Sequence, residues 1–476
     1  MANHPTCTLL IAGEALTGKG REGHDIIDPA TGETIGSVPH ATAADLDRAL
    51  EAAERGFRTW RSTSADQRTA ILLKAAGLIR ERAAGIGEAL TREQGKPIKE
   101  AIGETLYSAT LLEFYAQEIK RIYGRTLVRP AGQRVEVQYH PVGPVAGFAA
   151  WNFPSLNVMR KIGGALAAGC STIIKPSEET PSAGLALVQA LLDAGVPGDT
   201  VQCVFGVPDE VSRHLLASPI IRKVTFTGST AVGKHLAKLA AEDLKVATME
   251  LGGHAPVLIF ADADLEAALE TMTANAYRNA GQVCVSPTRF LIEEPVFERF
   301  RDGFVERAKA IKVGSGFDTA SAMGPMASAR GLERMEQMIG DARGHGAQVL
   351  AGGERISNQG FFHQPTVLSE VPASAEIMNE EPFGPVALLN PMTAEDAMIA
   401  EANRLPYGLA AYAWTKDPAR RRRLAAEVEA GMLAIDTGSG SAADAPCGGL
   451  TWLGYGSEDG REGVMACMVP KTVHEG

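Results

Sequence analysis

Between residues 143 and 253 the chain alternates short apolar runs with helical stretches so regularly that one architecture is strongly favoured. "GPVAGFAAW", "CSTIIKPS", "TVQCVFG", "IRKVTFTG" and "KVATMELGG" read as strands. The stretches between them, such as "SLNVMRKIGGALAAG" and "SAGLALVQALLDAG", place apolar residues three or four apart and read as helices. Strand–helix units joined by short loops imply a parallel sheet flanked by helices, with ligands expected beyond the carboxyl ends of the strands. This half of the chain is therefore a nucleotide-binding candidate.

The flanking text fits a larger assembly of the same kind. From Asp45 to about Ile119 the periodicity is helical, and "VRPAGQRVEVQYHPVGPV" then alternates between Pro and Gly breaks. Such an extended pair is a candidate for addition to a neighbouring subunit's sheet. After "HAPVLIF" a helix starts near Asp262 or Asp264, either of which could cap it, and runs through "LEAALETMTANAYRNAG". Further units continue to about residue 436, and the tail returns to turns and extended chain. At 476 residues the chain exceeds what one hydrophobic core supports, so two or more lobes are expected. A net charge of −11 argues against binding to nucleic acid or anionic lipid, and "ARRRRL" at 419–424 reads as the charged face of a helix. Six scattered cysteines show no C-x-x-C pair and no zinc-like spacing, which suits reduced thiols and no metal site. The N-terminal apolar run is too short for a signal peptide and no window of about 18 apolar residues occurs, so a cytoplasmic protein is expected.

Several residues could carry chemistry, and each has a plainer alternative. Cys284, in "RNAGQVCVSPTR", sits in a Gly-rich corner between helix and strand; a lone cysteine is as readily a small buried apolar residue. "FTGSTAVGK" offers a helix N-terminus to a phosphate, or simply a tight turn around Gly228 and Gly233. Lys175 and Glu178 close a strand where ribose hydroxyls could be held, or are solvated charges. Asn152 could donate to a developing oxyanion, or form a turn. Glu250 could act as a base if apolar surroundings raised its pKa. Glu381 and Phe383 sit in a rigid loop, "NEEPFGPV".

In this order, from near Ile26 to the C-terminus, these motifs resemble the NAD(P)-dependent aldehyde dehydrogenases. The resemblance implies an α/β fold of that family: a Rossmann-type cofactor domain (1–118 and 142–253), an α/β catalytic domain (254–443), and a small β oligomerisation extension with bridging segments (119–141 and 444–476). It implies a homodimer or homotetramer. It makes Cys284 the nucleophile, Asn152 with the Cys284 backbone N–H the oxyanion hole, and Glu250 the activator of the hydrolytic water. Lys175 and Glu178 would contact the adenosine ribose, Gly228, Ser229 and Gly233 the pyrophosphate, and Glu381 the nicotinamide ribose, with Phe383 and Trp151 by the ring. A carboxylate at Glu178 would repel a 2′-phosphate, so NAD is expected over NADP.

The stretches around Arg160 and Arg278 look most like the succinate-semialdehyde and α-ketoglutarate-semialdehyde branch, in which arginines at these positions bind the substrate's distal carboxylate and Phe153 lies by the substrate. Arg160 could equally pair with a protein carboxylate. Two departures stand out. Where the family reads P-F-G-G followed by a polar turn, this chain reads "APCGGLTWLGYG", with Cys447 at the Phe position and Leu450 to Leu453 in place of the turn. That leaves room for a bulkier or aromatic aldehyde. Ser286 stands where some members of the branch carry a second cysteine, so no local disulfide is expected. The rival expectations are a CoA-acylating dehydrogenase, against which Glu250 speaks, and an inactive binding protein of the same fold.

Overall fold

The computed structural model describes residues 4–130, 132–451 and 454–475. Two seven-stranded sheets carry it. In the first, the parallel strands Val246–Glu250, Lys223–Thr227, Val145–Phe148, Thr172–Lys175 and Val201–Cys203 lie side by side in that order. Their residues are almost all buried, as expected of strands covered by helices on both faces. Leu9–Ile11 extends this sheet antiparallel to Val201–Cys203 and turns back as Glu14–Leu16. The N-terminal apolar run, read only as too short for a signal, is thus the strand next to the sheet's edge.

Three long helices, Ala43–Trp60, Ala65–Gln94 and Ile98–Glu118, account for the expected helical region. Thr42 and Ser64 start the first two with reciprocal side-chain to backbone bonds, and Gly95 ends the second at φ 90°, a conformation with little cost only for glycine. The fully buried Trp60 ties this layer to the sheet lobe by donating from Nε1 to the Leu166 carbonyl at 2.8 Å.

The second sheet runs Gln348–Ala351, Thr366–Ser369, Val386–Met392, Pro287–Glu293, Ala255–Ile259, Ala410–Trp414 and Met432–Ile435, parallel except at its first edge. Glu250 ends a strand of one sheet and Ala255 begins a strand of the other, so four residues carry the chain between them. Buried Arg289 secures that crossing: Nε donates to the His254 carbonyl at 3.1 Å, and its other nitrogens meet Glu401 and the Ala402 carbonyl. Asp264, one of the two expected caps, starts the Leu265–Tyr277 helix. That helix stops four residues earlier than its periodicity suggested, at a 3₁₀ turn in which Asn279 and Ala280 take positive φ.

A third sheet pairs Arg134–Pro141 with Arg125–Leu127 on one side and Met468–Glu475 on the other, all antiparallel. The bridging segment therefore pairs with the chain's own C-terminus. Not all of the tail bridges, however. The Gly460–Met465 helix packs against the Ile98–Glu118 and Pro154–Ala168 helices, Cys447 pairs with Glu458, Leu450–Thr451 pair with Tyr407–Gly408, and the Met249 N–H donates to the Tyr455 carbonyl at 2.9 Å. The expectation for Trp452 and Leu453 falls outside the described residues. "ARRRRL" lies in the Pro418–Glu427 helix, where Arg420, Arg421 and Arg423 pair with Asp262, Asp436, Glu395, Asp396 and Glu427 as a charged face. All six cysteines are unpaired thiols.

Candidate active site

The carboxyl ends of the first sheet meet the amino ends of the second at one cavity of about 470 Å³. Trp151 and Asn152 reach it from beyond Phe148, Gly228 and Ser229 from beyond Thr227, and Gly252 from beyond Glu250. From the other side come Cys284, just before Pro287, and Glu381 and Phe383, just before Val386.

The Cys284 corner is built by close backbone approach. A Cβ on Gly253 would lie 2.4 Å from the Cys284 carbonyl oxygen, and one on Gly281 (φ 71°) would lie 2.0 Å from that of Gly384. Neither position accepts a side chain without moving the site. Asn279, absent from the sequence reading, holds the corner together. Its Nδ2 donates to the carbonyls of Asn152 (3.0 Å) and Gln282 (3.1 Å), and its Oδ1 accepts from Gln94 at 2.7 Å. A buried, fully bonded Asn explains how the left-handed backbone there is maintained. Asn152 is held in turn: Nδ2 donates to the Gln282 carbonyl at 3.2 Å, Oδ1 accepts from Asn157, and its carbonyl accepts from Lys96 Nζ at 2.8 Å.

The thiol of Cys284 is only partly exposed, and burial pushes it up to about 11; the positive charge of Arg160 opposes that, while Glu381 and Glu250 add to it. At rest it is a thiol, not a thiolate. Glu250 does not line the cavity but stands behind Leu251 and Gly252, with Oε1 buried and without a partner. Burial and the neighbouring Glu458 hold its carboxyl well above the usual range. Glu381 lies against Gly252, where a Cβ would come within 2.2 Å of Oε2, and accepts from the Gly253 N–H at 3.0 Å. Burial pushes this carboxyl up to about 8. Trp151 and Phe383 meet edge to face with ring centres 5.5 Å apart, Phe383 at φ 47°.

Of the remaining expected residues, Ser229 lines this cavity, whereas Lys175, Glu178, Gly233, Phe153, Arg160 and Arg278 lie around it. Lys175 and Glu178 form an ion pair at the end of their strand. Gly233 lets the Thr230–Glu242 helix close on the sheet, since a Cβ there would sit 2.3 Å from Leu251 Cδ2. Ser229 caps that helix. Phe153 lies between Lys96 Nζ, 4.1 Å from the ring centre, and the Arg278 guanidinium, 5.4 Å away, so it supports a cation. Arg160 is held by the chain itself. Its Nε donates to both oxygens of Asp459 (3.0 and 3.1 Å) and its Nη2 to Oδ2 at 2.6 Å. The alternative open to Arg160, pairing with a carboxylate of the chain, is the arrangement seen, whereas Arg278 makes no ion pair among the described residues. Beside that pair, Lys161 bonds Glu458, to which the Thr225 hydroxyl also donates at 3.0 Å. Lys161, Glu458 and Asp459 were all missed in the sequence. The doubled acid in "GSEDG" was their one visible trace.

Among the described residues, one further group brings metal-ligating atoms together: His4, Cys7 and Glu93, within 4.8 Å of one another. Glu93 is already bonded by His4 and by the Ser182 hydroxyl, so the group ties the N-terminus to the Ala65–Gln94 helix. No helix among the described residues is long and apolar enough to cross a membrane.

Comparison with known proteins agrees with this geometry. The sequence profile of the Aldehyde dehydrogenase family matches residues 16–473. A 4-(hydroxymethyl)benzenesulfonate dehydrogenase of Comamonas testosteroni is 43% identical over 98% of this chain and 97% of its own. The succinate-semialdehyde dehydrogenase [NADP(+)] of Escherichia coli K12 is 39% identical over 96% of this chain and 95% of its own. The crystal structure of a succinate-semialdehyde dehydrogenase from Burkholderia pseudomallei superposes with a TM-score of 0.96 at 39% identity, covering 98% of this chain and 97% of that one.

Proposed function

We propose, from the premise that this chain belongs to the aldehyde dehydrogenase family and oxidises an aldehyde to a carboxylic acid, a division of labour among its own residues. Cys284 Sγ attacks the carbonyl carbon as its proton leaves through water. The oxygen that gains charge is met by Asn152 Nδ2 and the Cys284 backbone N–H, which are positioned before the reaction. When bound, a nicotinamide dinucleotide would supply the hydride acceptor, leaving the acyl group on Cys284 as a thioester. Glu250 then takes a proton from the water that attacks the thioester, and the acid leaves as the thiol is restored. The observation that carries this reading is the convergence of Cys284, Asn152 and Glu381 on one cavity with Glu250 behind its wall.

The residues fit a dinucleotide. Glu381 is a buried carboxylate with one backbone N–H as compensation, and ribose hydroxyls are the donors it lacks. Gly228 and Ser229 bring the Thr230–Glu242 helix N-terminus to the cavity for a pyrophosphate. Lys175 and Glu178 would hold the adenosine ribose, and Trp151 and Phe383 would lie by the nicotinamide. The coenzyme is NAD(P), and we assign NAD as preferred: Glu178 neutralises Lys175, so a 2′-phosphate meets no free cation there. The ratio of kcat/KM for the two coenzymes checks this, and a clear NADP preference, as in the name of the E. coli relative, contradicts it.

The substrate carries an anionic group at its far end, a carboxylate in the first reading, met by Arg278. A second reading, a bulky aromatic aldehyde with an acidic group, is favoured by Cys447 standing where the family carries a Phe and by the relative named for 4-(hydroxymethyl)benzenesulfonate. NAD reduction across aldehydes differing in length, aromaticity and terminal charge tests both. Acidic aldehydes should lead, and Arg278→Leu should raise KM for them alone. No reduction with any aldehyde, or product only with CoA present, overturns the assignment. Assembly as a homodimer or homotetramer is part of the same reading, supported by the eight-residue Met468–Glu475 strand, which among the described residues is paired on one side only. A cytoplasmic location accords with the six unpaired thiols.

A further inference from the structure

Arg160 and Lys161 follow one another on the Pro154–Ala168 helix, and Glu458 and Asp459 follow one another in the tail. The four side chains make two buried ion pairs beside the catalytic cavity. Two consecutive cations cancelled by two consecutive anions leave no net charge on this wall. Arg278, whose guanidinium lies 5.4 Å from the Phe153 ring centre, has no ion pair among the described residues.

The Arg160–Asp459 pair is built to persist. Asp459 has side-chain exposure of 0% and sits at φ 55°, a left-handed conformation unfavourable for a non-glycine residue. Its backbone N–H donates to the hydroxyl of buried Tyr115 at 2.9 Å, and its neighbour Glu458 is fixed by exchange of backbone bonds with Cys447 (2.7 and 2.8 Å). Backbone strain and three hydrogen bonds on one guanidinium hold this carboxylate in the place a substrate anion would take. Arg160 nevertheless lies close to the chemistry, since its field reaches Cys284, Cys447 and Tyr107. It is near enough to select a substrate and is withheld from doing so.

We propose that Asp459 is a specificity-determining residue: it occupies the Arg160 fork in place of a substrate carboxylate, so that the distal acid is read by Arg278 alone. This rests on the reading above that the distal acid faces the arginine wall. Its consequence is a preference for acidic aldehydes weaker than two open arginines would give, with tolerance of different acid shapes, because one guanidinium fixes position less strictly than two.

The test is the ratio of kcat/KM for 4-carboxybenzaldehyde to that for benzaldehyde, followed by NADH formation in the full-length enzyme. Asp459→Asn, and Asp459→Gly, which also suits the backbone at this position, should raise the ratio roughly tenfold, through KM, as Arg160 is released. Arg160→Met in the otherwise unchanged enzyme should alter it by less than about twofold, and combining Arg160→Met with Asp459→Asn should abolish the gain. A ratio that stays level or falls in both Asp459 variants overturns the proposal. So does a ratio that falls several-fold in Arg160→Met, and this arm decides the matter if the Asp459 variants do not fold. Arg278→Leu separates the two ideas. If it leaves the ratio unchanged, the Arg278 assignment fails, whereas the Asp459 arms still report on Arg160.

Discussion

Four carboxylates lie around the cavity in two pairs with opposite surroundings. Glu458 and Asp459 each meet a cation, whereas Glu250 and Glu381 have no ion pair among the described residues. A buried charge without a partner is costly, so Glu250 and Glu381 hold their protons to unusually high pH and their charge becomes affordable only when ligand or water arrives. The other pair is held by its cations and serves as scaffold. The carboxylates around one pocket are thus divided by whether a cation meets them.

Breaking the unpaired side should have the largest effect. Glu250→Gln removes the base for deacylation and should lower kcat by about 10² to 10⁴-fold, measured as steady-state NADH formation, with a pre-steady-state burst surviving. Breaking the paired side should cost stability first. Asp459→Leu leaves the Arg160 charge without its partner and should lower unfolding free energy by about 3 kcal/mol in urea titration; Arg160→Leu with Asp459→Leu should recover most of it, because a buried ion pair is often replaceable by apolar groups. The smallest effect joins the two sides. The basic form of Glu250 is the working one, so activity is lost as pH falls through its raised pKa, and the acid limb of kcat should lie above the usual carboxylate range. Burial contributes most to that position and Glu458 next, so Glu458→Gln should move the limb to lower pH. An unmoved limb would mean that the scaffold pair does not tune the base.

What could be read from the sequence follows from the range of each interaction. The five parallel strands of the first sheet, the Asp264 cap and the sharp turn at Gly281 depend on neighbours in sequence, and periodicity or composition marks them. Leu9–Ile11 was illegible as a strand because its reason for being one is the edge at Val201–Cys203, almost two hundred residues on. The Arg160–Asp459 and Lys161–Glu458 pairs span 299 and 297 residues. A pattern of local spacing shows an arginine on a helix but not which anion reaches it. Asn279 was hidden for another reason: its side chain satisfies two distant groups, on Gln94 and Asn152, besides the nearby Gln282 carbonyl, and its left-handed backbone, rare outside glycine, leaves no mark in local spacing.

The central claim is that one sulfur atom carries the acyl group between oxidation and hydrolysis. Incubating the Glu250→Gln enzyme with NAD and a substrate aldehyde, quenching in acid and mapping peptides by mass should find the acyl adduct on the peptide containing Cys284. An adduct on a different cysteine, or none at all from an enzyme that has released a stoichiometric burst of NADH, would contradict it.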